Sequence, residues 1–352
     1  MLYEFTAQIP LIYNYYALYD AIPDSEFRVE YDAPLQWTVE EQITTDGMVF
    51  PYQISIQVTN VYSDRAKSHM PDARLECSVN GVVAENKEQA LNILSGYINR
   101  LCKRLTFNFN LHNCNRHLYQ PRVEPDWGSA KWSKVQYQVY LDWLHEREDD
   151  AIQIPSYLYG TCSVYSTSCV KIKTQELDAQ SWLQPLGEAH GFLMDEYYAA
   201  LGSETVKSKF FHLFAIIEFI EHNYKQYQGT EEWFTREELE RLEQSLDEVW
   251  KKNEYSFSKA QKNKLREILM SKLAEATKIG RAGKLLNILN QMGIYELKIM
   301  HESVAIDKKK LQHLIDLRNK TFHGEEDELR KYKKAVEFLL YLCEAIIQSP
   351  KL

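Results

Sequence analysis

The segment that decides how the C-terminal part of this chain folds is Leu311-Gln-His-Leu-Ile-Asp-Leu-Arg-Asn-Lys-Thr-Phe-His-Gly324. Its leucine and isoleucine residues recur at three- and four-residue spacing, which predicts an amphipathic helix. Asp307 is a suitable N-cap for this helix, and Gly324 is a suitable C-terminal stop. Arg318 and His323 are therefore expected near the end of the helix, just before the next helical pattern.

The distribution of proline divides the chain of 352 residues. Nine of the ten prolines lie between Pro10 and Pro185, and the tenth is Pro350. Because a proline inside a helix costs roughly 3 kcal/mol, the long proline-free stretch predicts helices. Residues 1–186 hold 15 basic and 23 acidic residues, whereas residues 187–352 hold 26 and 27. We therefore expect two domains, a β-rich one over residues 1–186 and a helical one over residues 187–352.

The first half carries the patterning of strands. Residues 49–58 and 135–140 alternate apolar and polar side chains, and residues 163–172 are rich in β-forming types. One helix, over residues 85–105, interrupts them, and residues 106–109 after it are interpreted as a strand. The prediction is an antiparallel sheet or barrel with one packed helix, which gives the whole chain an α+β fold class.

The second half carries the patterning of an all-α bundle. Residues 210–224 and 329–347 show helical apolar periodicity. Residues 235–238 and 258–261 have the spacing of capping boxes, in which side chains bond to the free N–H groups at a helix start. Residues 279–283 predict a break between two helices.

Composition limits the functions that the chain can have. The net charge of −9 means that any contact with nucleic acid needs a local basic patch. The sequence has no apolar run long enough for a membrane span and no secretory leader pattern, and its six cysteines include no CxxC pair. We therefore expect a cytoplasmic protein with no membrane partner. His112, Cys114 and His117 are of metal-binding types, but no second cluster accompanies them, so a polar turn is favoured and no metal or cofactor is expected.

With this context, the spacing of Arg318 and His323 resembles the Arg-x4–6-His motif of the HEPN superfamily. Asn319 matches the polar residue that many members carry after the arginine. Glu218, within an earlier apolar helix, fits an acidic position of the family, and Glu221 is its rival. A β-rich half before such a domain resembles the ApeA-like antiphage defence proteins.

The resemblance implies a HEPN-type endoribonuclease that cleaves single-stranded RNA, a tRNA loop being one such target, without metal. His323 would act as general base or acid and Arg318 as a clamp on phosphate. Asn319 would orient one of them or bind phosphate, and Glu218 would hold Arg318. Lysines near the motif would form a basic rim: Lys308, Lys309, Lys310, Lys320 and Lys331.

The resemblance also implies partners and a biological setting. HEPN domains usually form homodimers in which two motifs face one cleft. The setting would be a toxin or abortive-infection response in antiviral defence, with a phage-derived trigger or an inhibitory partner at the N-terminal domain. In some HEPN toxins a partner nucleotidyltransferase modifies a tyrosine two residues after the histidine. Glu325 stands at that position, so this type of control is not expected.

Two alternatives stay open. The domain could bind a nucleotide or a protein partner without cleaving RNA, as some HEPN members do. Arg318 and His323 also fit a surface ion pair and a helix-end histidine, in which case the protein is an interaction scaffold.

Overall fold

The computed structural model describes residues 1–17, 27–62, 73–113, 119–145, 168–174, 177, 182–183, 186–228, 236–252, 258–276, 279–299, 302–322 and 329–350. Two compact units divide the chain, Met1–His212 and Leu213–Leu352. The composition changes at residue 186, whereas the division between the units falls at residue 212. The helix that follows the composition change belongs to the first unit.

A sheet of six antiparallel strands forms most of the first unit. The described strands of this unit are β1 (Tyr3–Ala17), β2 (Phe27–Tyr31), β3 (Leu35–Thr45), β4 (Met48–Tyr62), β5 (Ala73–Ala84), β6 (Tyr119–Pro125), β7 (Lys131–Gln136) and β8 (Ser168–Ile172). The order in the sheet is β3-β4-β5-β1-β6, and β7 also pairs with β1. β2 and β8 form a separate parallel pair. Among the described strands, the first and last in this order do not pair with each other. Of the two predicted architectures, sheet or barrel, the described pairings therefore form a sheet.

The strand β1 lies at the centre of this sheet. It pairs with β5 along one edge, while its other edge pairs first with β7 and then with β6. The pairing with β5 shifts register between Phe5 and Ala7. Gly81 lies opposite this irregularity with a φ of +84°. A side chain is excluded there because a Cβ would lie 2.2 Å from the carbonyl oxygen of Gln53 on β4.

The helix α1 (Lys87–His112) packs on the sheet and begins at the N-cap Asn86, whose side chain accepts from the N–H of Gln89. Every third or fourth residue on one face is fully buried, from Leu94 through Leu105 to Phe109. The interpretation of residues 106–109 as a strand was therefore wrong. Phe109 continues the buried stripe of the helix four residues after Leu105, and this outweighs the local β propensity.

A second correction concerns residues 135–140. The strand β7 ends at Gln136, and the helix α2 (Gln138–His145) begins two residues later. The alternation of apolar and polar residues therefore covers the end of a strand and the start of a helix. Of residues 163–172, which were also predicted as a strand, only the described part forms β8, and residues 163–167 lie outside the described part of the chain.

A buried lysine joins the start of the helix α4 (Val206–Asn223) to the sheet. Lys209 is 3% exposed, and its ammonium group donates a hydrogen bond to Oε1 of Gln120 on β6 at 2.8 Å. Burial lowers the pKa of Lys209 to about 8. This lysine and the helix α3 (Glu188–Leu201) both belong to the first unit.

The second unit is mostly helical. Besides the end of α4, it contains α5 (Arg236–Lys252), α6 (Lys259–Ala276), α7 (Arg281–Gln291), α8 (Lys308–Phe322) and α9 (Leu329–Ile347). The two strands β9 (Glu296–Ile299) and β10 (Glu302–Ala305) pair as an antiparallel hairpin. This hairpin corrects the expectation of an all-α half. The predicted α+β class of the chain is confirmed.

The core of the second unit consists of the helix faces that the sequence indicated. Phe214 and Ile217 of α4, Leu314 of α8, and Val336 and Leu339 of α9 are all buried. The thiol of Cys343 on α9 donates to the carbonyl oxygen of Leu213 on α4 at 3.4 Å.

The helix starts of this unit follow the sequence prediction where they are described. Ser258 and Gln261 form the predicted capping box, each side chain accepting from the other's backbone N–H. Gly280 is the N-cap of α7, so the predicted break between helices is present. Within the described part of the chain, no helix combines the length and the apolar character that crossing a bilayer requires.

Candidate functional site

The helix α8 carries the residues that the sequence singled out. The N–H of Lys310 donates to Oδ1 of Asp307 at 2.8 Å, which is the predicted N-cap. Leu311, Leu314, Ile315 and Leu317 are at most 3% exposed, so one face of α8 is fixed in the core. Arg318 comes directly after Leu317, the last of these buried residues, and its side chain is partly exposed near the C-terminal end of the helix.

Arg318 is held by a carboxylate from α4. Its Nη2 atom lies 2.9 Å from Oε1 of Glu218, and the two side chains are 26% and 39% exposed. Glu218 follows the buried residue Ile217, so the packing of α4 fixes the backbone from which this carboxylate extends. The structure therefore brings together two of the predicted site residues, Glu218 and Arg318.

A second arginine shares the same carboxylate. Arg281, the first residue of α7, lies with its Nη2 atom 3.4 Å from Oε1 of Glu218. Its Nε donates to Oε1 of Glu221 at 3.0 Å, and its Nη2 donates to Oε2 of Glu221 at 2.6 Å. This two-point contact is the main reason that the pKa of Arg281 is raised above its ordinary value. Glu221, the rival of Glu218 in the sequence prediction, is therefore bound to Arg281.

The four charged side chains form a row in which acidic and basic groups alternate. The order is Glu221, Arg281, Glu218, Arg318, and each neighbouring pair lies within 3.4 Å. Because the Glu218 carboxylate has an arginine on either side, its position depends on both. We call this set the charged row.

An open cleft of about 430 Å³ borders the charged row. It is lined by Glu218, Glu221, His222, Lys225, Gln228, Arg281 and Lys284. The N-terminus of α7 lies at this cleft, and its first turn contains no acidic residue. Basic side chains together with the positive end of a helix favour an anionic ligand, and the two carboxylates partly offset this.

The other predicted residues are distributed as follows. Asn319 and Lys320 are exposed on α8, beyond Arg318. His323, the second half of the predicted catalytic pair, lies outside the described residues.

The lysines of the predicted basic rim do not share one environment. Lys308, Lys309 and Lys331 are exposed, as is Lys320. The ammonium group of Lys310 instead lies 2.7 Å from Oδ2 of Asp307 and 2.8 Å from the carbonyl oxygen of Ala305. Lys310 therefore stabilises the start of α8.

Sequence reasoning missed Arg281. Residues 279–283 were interpreted from the sequence only as a break between two helices. The carboxylate that binds Arg281 belongs to Glu221, which is 60 positions earlier in the chain. A possible signal was the arginine directly after a glycine at a helix start, but the sequence does not reveal its partner.

The described residues contain no group of three or more His, Cys, Asp or Glu side chains arranged for a metal ion. His112 lies at the end of α1, where its Nδ1 is 2.9 Å from the carbonyl oxygen of Asn108. Cys114 and His117 fall outside the described part of the chain.

Comparisons of this chain with models of known protein families, with curated proteins and with solved structures find no match.

Proposed function

We propose that the helical unit is a metal-independent, HEPN-type endoribonuclease that cleaves single-stranded RNA, with Arg318 and His323 as its catalytic pair. The observation that carries the proposal is the ion pair between Arg318 and Glu218 at 2.9 Å. This pair supports a role for Arg318 that depends on its orientation, because a carboxylate from a packed helix holds the guanidinium near the end of α8.

The chemistry needs a proton acceptor and a stabiliser of phosphoryl charge. His323 would accept the proton of the ribose 2′-OH, because histidine is the side chain suited to proton exchange near neutral pH, and the 2′ oxygen then attacks the adjacent phosphorus. The 5′-oxygen of the next nucleotide leaves and takes up a proton, and a 2′,3′-cyclic phosphate remains. Arg318 would bind the phosphoryl oxygens through its planar set of donors, and Asn319 would orient the phosphate beside it. Glu218 acts as a positioning residue through Arg318.

Three further parts of the proposal rest on the sequence. The active form is a homodimer with two motifs at one cleft, and the activity belongs to an antiviral defence or toxin response in the cytoplasm. The scattered cysteines support a reducing compartment. The N-terminal unit would receive the trigger or the inhibitor.

The test is cleavage of a labelled single-stranded RNA in the presence of EDTA. Wild-type protein is expected to cleave, while Arg318→Ala and His323→Ala lose at least about a hundredfold in rate, as is typical when one such group is removed. His313→Ala is the matched control, because His313 is an exposed histidine on the same helix. Circular dichroism must show that all variants are folded. Equal cleavage by wild type and by both motif variants contradicts the proposal.

The cleft favours a second candidate, a module that binds RNA or a nucleotide without cleaving it. Lys225, Arg281 and Lys284 line this cleft and are not part of the Arg-x4–6-His motif. Binding of RNA without cleavage, weakened by Lys284→Ala but unchanged in His323→Ala, would replace the first proposal with this one. Fluorescence anisotropy with the same RNA measures it.

A further inference from the structure

The strand β7 forms an edge of the sheet in the first unit, and its sequence is Lys131-Trp-Ser-Lys-Val-Gln136. Among the described strands, β7 pairs only with β1. No acidic residue lies between Asp126 and Asp142, although residues 1–186 hold more acidic than basic residues. The edge is therefore a locally basic stretch in the acidic half of the chain.

Aromatic rings extend from the core of the first unit to this edge. Phe5 on β1 is 3% exposed, and its ring lies 6.3 Å from that of Tyr3 and 6.4 Å from that of Trp132. Residues two apart on a strand share a face, so Tyr3 lies on the same face as Phe5. Trp132 lies on this face as well, because it is opposite Ala7 in the register of β1 and β7. Tyr3 and Trp132 are both partly exposed, so the edge presents ring surface.

A lysine ammonium group lies over each of these two rings. Nζ of Lys134 is 4.1 Å from the ring centroid of Tyr3. Nζ of Lys87, the first residue of α1, is 5.3 Å from the ring centroid of Trp132. Lys131 adds a third positive charge at the start of β7. All three lysines are exposed, and within the described part of the chain none of their side chains forms an ion pair or a hydrogen bond. We call these five residues the basic–aromatic edge.

The acidic residues adjacent to the basic–aromatic edge in the sequence point in other directions. Glu4 follows Tyr3 on β1 and therefore points to the opposite face of the sheet. Glu88 follows Lys87 on α1 and is turned from it by about 100°. The edge therefore has a positive potential of its own, which favours an anionic partner.

We propose that the basic–aromatic edge binds single-stranded nucleic acid, with its lysines on backbone phosphates and the rings of Tyr3 and Trp132 against unpaired bases. Bases of every type stack on aromatic side chains, and ammonium groups bind phosphates as point charges. A cation–π contact at an exposed site is weaker than base stacking, so each lysine moves from its ring to a phosphate while a base takes its place. These contacts use neither the ribose 2′-OH nor the base edges, so DNA and RNA should both bind.

The two rings favour a single strand over other partners. An acidic protein segment would use the ammonium groups but would leave both rings without a flat partner. In a duplex the bases are stacked on one another and do not reach the rings. Charged side chains on an edge strand also prevent pairing with other chains, but that role requires the lysines alone.

The inference gives the N-terminal unit a ligand class and does not depend on the ribonuclease proposal. The basic–aromatic edge shares no residue with the cleft beside the charged row. DNA lacks the 2′-OH that the proposed cleavage requires, so binding of a DNA strand is measured without any cleavage.

The experiment is fluorescence anisotropy of a labelled oligo(dT) with the full chain, between about 50 and 200 mM salt. Wild-type protein is expected to bind. The slope of the logarithm of the binding constant against the logarithm of salt concentration should be shallower by about 0.7 in Lys134→Ala and in Lys87→Ala, because each loses one phosphate contact. Trp132→Leu should weaken binding about fivefold or more and keep the wild-type slope, because stacking releases no counterions.

Controls separate this surface from the rest of the chain. Lys298→Ala and Tyr295→Leu remove exposed side chains of the same types in the second unit and should change neither affinity nor slope. Thermal melts check the fold, and Tyr3→Leu tests the stacking role if Trp132→Leu is unstable. Ultraviolet cross-linking should attach the oligonucleotide to the peptide that contains Trp132.

Four outcomes overturn the inference. The first is that wild-type protein does not bind the single strand, and the second is that cross-links form only in the second unit. The third is that the lysine variants keep the wild-type slope. The fourth is that a DNA duplex or polyglutamate competes as well as the single strand, because charge alone would then explain the binding.

Discussion

The buried ammonium group of Lys209 should add to the free energy of unfolding a contribution that rises with pH above 8. Its pKa is lowered from 10.5 to about 8 by burial, whereas the unfolded chain keeps the ordinary value. Between these two values Lys209 binds more protons in the unfolded state than in the native state, so its contribution to the free energy of unfolding increases with pH. Since one pKa unit corresponds to about 1.4 kcal/mol, the buried charge costs about 3 kcal/mol below pH 8, and about 1.5 kcal/mol of this is recovered by pH 9.5.

Tyrosines limit the range over which this effect can be measured. Burial raises the pKa values of Tyr52 and Tyr198 to about 12. In the unfolded chain tyrosine ionises near pH 10, so these groups make stability fall with pH above about 10. Burial also raises the pKa values of the Cys77, Cys102 and Cys343 thiols, which in the unfolded chain ionise at about pH 8.5, so these thiols lower stability over the same range in which Lys209 raises it. The contribution of Lys209 is therefore measured as the difference in stability between wild type and a variant that lacks this charge, between pH 8 and about 9.5.

Urea unfolding followed by tryptophan fluorescence measures the free energy at both ends of this range. Lys209→Met keeps most of the side-chain volume and removes the charge, so it should be more stable than wild type at pH 8, and this advantage should shrink by about 1.5 kcal/mol at pH 9.5. Lys207→Met is the control, because Lys207 is partly exposed on the same helix and should keep the wild-type slope. An identical pH dependence in wild type and Lys209→Met would refute the reasoning.

Two smaller changes test the charged row and the sheet. Glu218→Gln removes the charge opposite Arg318, and the expected result is a fall in RNA cleavage of about tenfold to a hundredfold with a loss of stability under about 1 kcal/mol, because both side chains are partly exposed. Cleavage at the wild-type rate would show that this ion pair does not position Arg318. Gly81→Ala should cost about 3 kcal/mol or more, because its Cβ would meet the Gln53 carbonyl and its φ is positive. Gly47→Ala, with a φ of +79° but open space around it, should cost only about 1 kcal/mol. If thermal melts show equal costs for the two variants, the close approach of the Gln53 carbonyl does not explain the cost at Gly81.

The helices around Arg318 could be predicted because their signals are local. Asp307 caps α8, and its apolar residues are buried at the expected spacing. The contact between Glu218 and Arg318 was expected only from a resemblance to a family, and the structure contains it. Whether these residues act in catalysis stays a prediction.

Long-range contacts explain what the sequence did not reveal. Arg281 lies at a recognisable helix start, but its interaction with Glu221 depends on how α4 and α7 pack. Residues 106–109 alternate polar and apolar side chains as a strand would. They lie in α1 instead, where Phe109 extends the buried apolar stripe of the helix. The order of strands in the sheet also depends on pairings between distant segments, which period-two patterning does not specify.

The central position of β1 has a consequence for how the first unit folds. Tyr3 pairs both with Ala84 on β5 and with Gln136 on β7. These contacts close loops on the order of a hundred residues, and the loss of chain entropy precedes the gain from pairing. The first unit is therefore expected to fold more slowly than the helical unit, whose contacts are more local. During that delay the unpaired edges of β1 would be exposed to other chains, which makes this strand the segment to protect when the protein is refolded.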